Sequence, residues 1–187
     1  GPALDAGMAT LFAGELIEAV RYLGQPNFCT KNEDISGDDI WVGGADDVIH
    51  QYDFENGKLS NPVTLQISYD TTRIKLMYPG GIAVDNKGES IFVAAQYGNS
   101  LLQFSLVSSQ PAATSFIEFK DDHSYPYKVV LHPNGKTAYV SLWGGKAVGV
   151  VNLVDKTYQL VSTDSHPNDL VLSKNGALLY VACANSN

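Results

Sequence analysis

Three segments of the chain superimpose, and they predict an all-β fold: a β-propeller of four-stranded antiparallel blades, about four of them present and the last incomplete. The segments are YPGGIAVDNKGESIFVAA from Tyr78, YPYKVVLHPNGKTAYVSL from Tyr125 and HPNDLVLSKNGALLYVAC from His166. Their prolines Pro79, Pro126 and Pro167 lie 47 and 41 residues apart, and the turn glycines Gly88, Gly135 and Gly176 repeat the same two intervals. That period has the length of a propeller blade and is too long for one turn of a solenoid. A sandwich of short strands would not require the same start, Pro-x-x-apolar-x-apolar, and the same continuation, Gly-x-x-apolar-aromatic-Val, in every unit.

Each unit reads as four strands, A to D, with alternating apolar positions such as Ile82 and Val84 or Val129 and Leu131. Strand A runs from the proline to an Asn-Gly or Lys-Gly turn, where glycine supplies the positive φ of a tight hairpin. Strand B contains Phe92, Tyr139 or Tyr180. Strand C covers Leu101 to Leu106 and Val148 to Leu153, and strand D covers Thr114 to Phe119 and Thr157 to Val161. A degenerate first copy spans Asp38 to Gly44 and Ile49 to Phe54, with Gly37 as its turn glycine 51 residues before Gly88. The expected blades are therefore 32–74, 75–121, 122–163 and the partial 164–187. Residues 1–31 precede them. Gly1-Pro2 reads as the scar of a cleaved fusion tag, and Met8 to Leu23, interrupted by Glu15, Glu18 and Arg21, predicts a short amphipathic helix.

Of the 187 residues 44% are hydrophobic and 17% charged, as in a folded soluble protein. A formal charge of -8 argues against nucleic acid and anionic membrane as partners, since both need a basic face. No window approaches the roughly 18 apolar residues of a membrane span, so no insertion is expected. Cys29 and Cys183 form no disulfide framework or paired metal motif; they are either two buried thiols or a pair that the fold brings together. No G-x-S-x-G, H-E-x-x-H or P-loop is present, and no cofactor is expected. Calcium is the one cation to weigh: Asp46 and Asp47, near Asp38 and Asp39, offer hard oxygen ligands, but their spacing matches no calcium loop and suits solvated turns equally.

The repeat resembles the YVTN-type propellers, a group related to the lactonase-like and NHL propellers. The match is carried by Ala138 to Trp143 with Val148 to Leu153, and by Leu179 to Asn187 after His166 to Asp169, and it extends over residues 32–187. The resemblance implies a ring of seven blades and a periplasmic or extracellular, bacterial-type location. In that group a Tyr-Val-x-Asn-x-x-x-Asn/Asp run leads into a further strand, and here Asn187 stands where that strand should begin. The partner expected first is thus the remainder of the propeller, supplied by another polypeptide or by a swapped second copy.

Strand alternation sorts the loops: D-to-A and B-to-C loops share one face, A-to-B and C-to-D turns the other. The first face collects Tyr78, Tyr125, Tyr127, His166, Asn168 and Asp169 from D-to-A segments, and Tyr97, Asn99, Trp143 and Asn185 from B-to-C segments. These ten are the candidate binding residues, because ligand contacts concentrate on loops held by a rigid scaffold. The ring before each proline serves equally to pack neighbouring blades, and Trp143 suits an interface anchor or a blade contact. His166 beside Asp164 and Asp169 has the composition of an acid–base pair, although nearness in sequence does not place them in reach. The opposite face holds turn formers such as Asn134-Gly135 and receives no function.

The reading favoured is a non-catalytic binding or scaffold propeller that presents this aromatic and polar face to a protein or small ligand. Two alternatives rest on the resemblance: an accessory propeller of a larger phosphoesterase-like hydrolase or redox enzyme, and a lactonase-like hydrolase.

Overall fold

The computed structural model describes residues 38–43, 48–55, 58–65, 68–107, 112–120 and 123–184. The expected N-terminal helix, Cys29 and Gly37 lie outside these residues, and with Cys29 goes its pairing with Cys183. So do Asp46, Asp47 and Asn185.

All described elements are strands. The first blade contributes β1 (Asp38–Gly43), β2 (Ile49–Glu55) and β3 (Lys58–Leu65) in the order β1-β2-β3. The second is β4 (Pro79–Val84), β5 (Ser90–Ala95), β6 (Ser100–Ser105) and β7 (Ala113–Glu118), and the third is β8 (Pro126–Leu131), β9 (Thr137–Leu142), β10 (Ala147–Asn152) and β11 (Thr157–Ser162). Each of these two forms a four-stranded antiparallel meander in sequence order. The fourth is the pair β12 (Pro167–Leu172) and β13 (Leu179–Cys183). The first blade takes its register from its neighbour: β1 lies beside β4 as β5 lies beside β8 and β9 beside β12, so β1 is a B strand.

The local reasons are those of the repeat. Gly88, Gly135 and Gly176 adopt φ of 70°, 66° and 74°, and each amide closes the A-to-B turn on the carbonyl three residues back. Side chains finish the turns: the Asp85 carboxylate accepts from the Lys87 and Glu89 amides, and the Asn134 carbonyl oxygen accepts from Lys136 and Thr137. A bulge follows the proline in every A strand, between Pro79 and Ile82, Pro126 and Val129, and Pro167 and Asp169. In the third blade it removes the Lys128 amide from the ladder, and the buried Ser141 hydroxyl accepts from it at 3.0 Å.

The core lies between the sheets. Strands β4 and β5 are almost wholly buried because a blade packs on either side of them, which explains their near-continuous apolar runs. Ile82, Val93, Leu102 and Phe104 join Val129, Val140, Leu142 and Val151 in one cluster. Phe119, just after β7, ties the second blade to the third: its ring meets Tyr158 of β11 edge-on at 5.0 Å and covers Gly149 of β10. The Lys120 amide donates to the Tyr158 hydroxyl at 2.8 Å beside it. On the far side of the run this cover ends. Tyr180 is 58% exposed where its second-blade counterpart Phe92 is 5% exposed, and Leu160, Val161, Val171 and Leu178 stand exposed around it.

Because Phe119 is fully buried between two blades, Phe119→Ala should lower unfolding free energy by about 3–5 kcal/mol. Tyr158→Phe, which removes one hydrogen bond, should cost about 1 kcal/mol. Urea unfolding followed by circular dichroism checks both; a Phe119→Ala midpoint equal to wild type would contradict the blade contact.

Candidate functional site

The face predicted to gather D-to-A and B-to-C loops is organised by one recurring hydrogen bond. Tyr78, Tyr125 and His166 each precede a proline and adopt φ of 48°, 46° and 56°. Left-handed backbone is costly for bulky residues, about 1–3 kcal/mol each, and persists only where surroundings fix it. The fixing partner is the residue after strand B: the amides of Gln96, Trp143 and Ala184 donate to the carbonyls of Tyr78, Tyr125 and His166 at 3.1, 3.0 and 2.9 Å. Each D-to-A corner is thereby latched to the B-to-C loop of its own blade.

The B-to-C loops are four-residue turns, Gln96 to Asn99 and Trp143 to Lys146, closed by Asn99 and Lys146 at φ of 48° and 50°. Their carbonyls accept from the Phe119 and Thr163 amides at 2.9 Å, which joins each turn to the end of strand D. Asn99 adds a 2.8 Å bond from its side-chain amide to the Phe119 carbonyl, so part of its hydrogen-bonding capacity holds the scaffold.

These latches line up five rings from three blades. Tyr78 lies 4.7 Å from Tyr97, Tyr97 lies 6.3 Å from Tyr125, Tyr125 lies 6.5 Å from Trp143, and Trp143 lies 4.2 Å from His166. The interplanar angles run from 47° to 80°, the tilted and edge-on geometry favoured by ring quadrupoles. His123 meets Tyr125 edge-on at 6.1 Å from the side. Tyr97 is 59% and Trp143 37% exposed, while Tyr78, Tyr125 and His166 are half-buried between them. Gly144 makes the arrangement possible, since a Cβ there would collide with the His123 carbonyl and stand 2.7 Å from the Tyr125 ring.

Of the ten sequence candidates, the structure brings Tyr78, Tyr97, Tyr125, Trp143 and His166 into this ladder. Tyr127, Asn168 and Asp169 are strand residues, on β8 and β12, where a loop position was expected. Asp169 accepts from the Leu170 amide at 2.9 Å and stands 3.8 Å from the ammonium of Lys128, which is 1% exposed. Among the described residues no hydrogen bond joins His166 to Asp164 or Asp169, and the buried Nδ1 of His166 has no partner. The sequence reading missed Lys128, although it aligns with Gly81 and Asp169 and so pairs opposite charges at one position of neighbouring blades.

Two cavities lie off this face. One of about 430 Å³ sits on the rim of the second blade, where Arg73 lies 3.9 Å over the Phe116 ring and 3.8 Å from Glu118. Hydrogen bonds from Thr72 hold the neighbouring Asp70 carboxyl below its usual value. The other, about 210 Å³, lies among the opposite turns beside Asp85 and His132. Among the described residues no group of three or more His, Cys, Asp or Glu side chains is placed to hold a metal ion.

This geometry, antiparallel four-stranded blades with inner strands side by side, is that of a β-propeller, and solved structures agree. The chain is similar to hydrazine synthase of Kuenenia stuttgartiensis, with a TM-score of 0.60 and 18% identity over 81% of this chain and 40% of that one. It is also similar to a protein assigned by name as a 6-phosphogluconolactonase from Bacteroides uniformis, at 0.55 and 17% over 80% and 48%. A third is a catalytically inactive virginiamycin B lyase from Staphylococcus aureus with quinupristin, at 0.59 and 13% over 77% and 44%. The chain thus spans less than half the length of each. No family profile and no curated protein matches it.

Two glycine substitutions separate crowding from backbone strain. Gly144→Ala should cost about 1–3 kcal/mol by overpacking and move the NMR signals of Trp143 and Tyr125. Gly135→Ala, with open space around it, should cost about 1–2 kcal/mol through its φ of 66° and leave those ring signals in place.

Proposed function

We propose that this chain belongs to a non-catalytic β-propeller of the YVTN-type repeat group, one that binds a protein or small ligand on its aromatic loop face. The observation that carries the reading is the five-ring ladder crossing two blade boundaries, with Tyr97 and Trp143 presented to solvent at positions fixed by backbone latches. Rigid, exposed aromatics lose little conformational entropy on binding and dominate interface energetics. A binding role is further supported by the polar groups around the rings. Asp169 is engaged with Lys128, and the His166 ring stacks on Trp143 without a carboxylate to orient it, so neither is arranged for general acid–base work.

The exposed apolar side chains of β11, β12 and β13, together with the share of each neighbour that the chain spans, support an assembly in which further blades cover that face and complete a seven-bladed ring. Such an arrangement also accommodates an accessory propeller within a larger enzyme. A periplasmic or extracellular location is part of the proposal and follows from the repeat group.

The test is a panel of linear oligosaccharides, sugar lactones and peptides, screened for binding and for turnover. Trp143→Ala and Tyr97→Ala should each weaken the ligand that binds by at least about tenfold, or 1.4 kcal/mol, while stability changes little for exposed Tyr97. Hydrolysis of a lactone that disappears in His166→Ala would contradict the non-catalytic reading.

A further inference from the structure

Resting on the binding-face reading, we propose that the trough between Tyr97 and Trp143 takes a proline-rich segment in polyproline II conformation, with basic residues flanking it. The trough has two walls and a floor. Tyr97 and Trp143 protrude, Tyr125 lies half-buried between them, and it meets them at 80° and 70°. The walls are therefore separated by no more than the two steps of 6.3 and 6.5 Å together. A polyproline helix rises about 9 Å per turn, so one turn fits the interval, its prolines seated against ring faces on both sides.

The ring angles decide against a glycan. A pyranose stacks its flat C–H face on an open, near-coplanar aromatic platform, whereas these rings stand edge to face and make ridges. Extended ligands are also favoured by the absence of either described cavity from this face. A polyproline helix has no internal hydrogen bonds, and its carbonyls point outward to accept them. The Tyr97 and Tyr125 hydroxyls and the Trp143 indole N–H are placed to donate, and among the described residues none of the three holds a hydrogen bond. Basic flanks follow from the formal charge of -8 and from exposed Asp164, two residues before His166 in the adjoining loop.

The experiment titrates the ¹⁵N-labelled full chain with an arginine-flanked decaproline peptide, a glycine–serine peptide of equal length and charge, and cellohexaose. The readout is the Trp143 indole N–H signal, assigned with Trp143→Phe. The decaproline peptide should shift that signal saturably and bind at least tenfold more tightly than the glycine–serine peptide. Tyr97→Ala should weaken it at least tenfold with its thermal unfolding unchanged. Equal binding of the two peptides, an unmoved Trp143 signal, or a Tyr97→Ala variant that binds like wild type would overturn the inference. A shift with cellohexaose alone would overturn it too, while leaving the binding-face reading intact; that reading falls only if no ligand of the wider panel depends on Trp143 or Tyr97.

Discussion

The constraint on which this structure turns is the hydrogen bond from the first residue after strand B to the carbonyl before the A-strand proline. It occurs at Gln96 to Tyr78, Trp143 to Tyr125 and Ala184 to His166, within 0.2 Å of the same length, 2.9 to 3.1 Å. Proline fixes its own φ and donates nothing, so the residue before it carries the whole reversal into the inner strand. That residue does so in left-handed backbone, a conformation retained because the latch, the bulge after the proline and the ring contacts all determine it together. The aromatic face is thus a consequence of how each blade begins.

Blade packing and the site draw on the same residues. Phe119 closes the second blade on the third, and its backbone is held by Asn99, which closes the turn carrying Tyr97. Lys128 and Asp169 link the third inner strand to the fourth directly beneath the corners at Tyr125 and His166. Removing one partner of such a pair leaves a buried ammonium poorly compensated, so its value lies in fixing how two blades meet more than in net stability. A ligand face built on these contacts has few soft modes, which suits recognition of a ligand that is itself stiff.

Most of the architecture was legible in the sequence because a repeat compares the chain with itself. The three Pro-to-Val frames placed β4, β5, β8, β9, β12 and β13, and the C and D strands fell within one residue of their expected starts, as with Ala113 for Thr114 and Ala147 for Val148. The site was legible only as a set of loops. Nothing local tells that Tyr125 touches both Tyr97 and Trp143, since those contacts join different blades across 28 and 18 residues. The loop assignment of Tyr127, Asn168 and Asp169 erred because the bulge lets strand A begin at the proline itself. The latch could have been inferred from three aromatic-Pro corners paired with three strand-B exits, had backbone donors been counted corner by corner.

Amide hydrogen exchange at Gln96, Trp143 and Ala184 tests the central claim most directly. These amides lie in turns, yet the latch predicts that they exchange with the slow rates of the neighbouring strand amides, far slower than those of exposed turn residues Asn86 and Lys174. Exchange at all three as fast as at Asn86 and Lys174 would show that no latch fixes the corners, and the account of the aromatic face would fail with it.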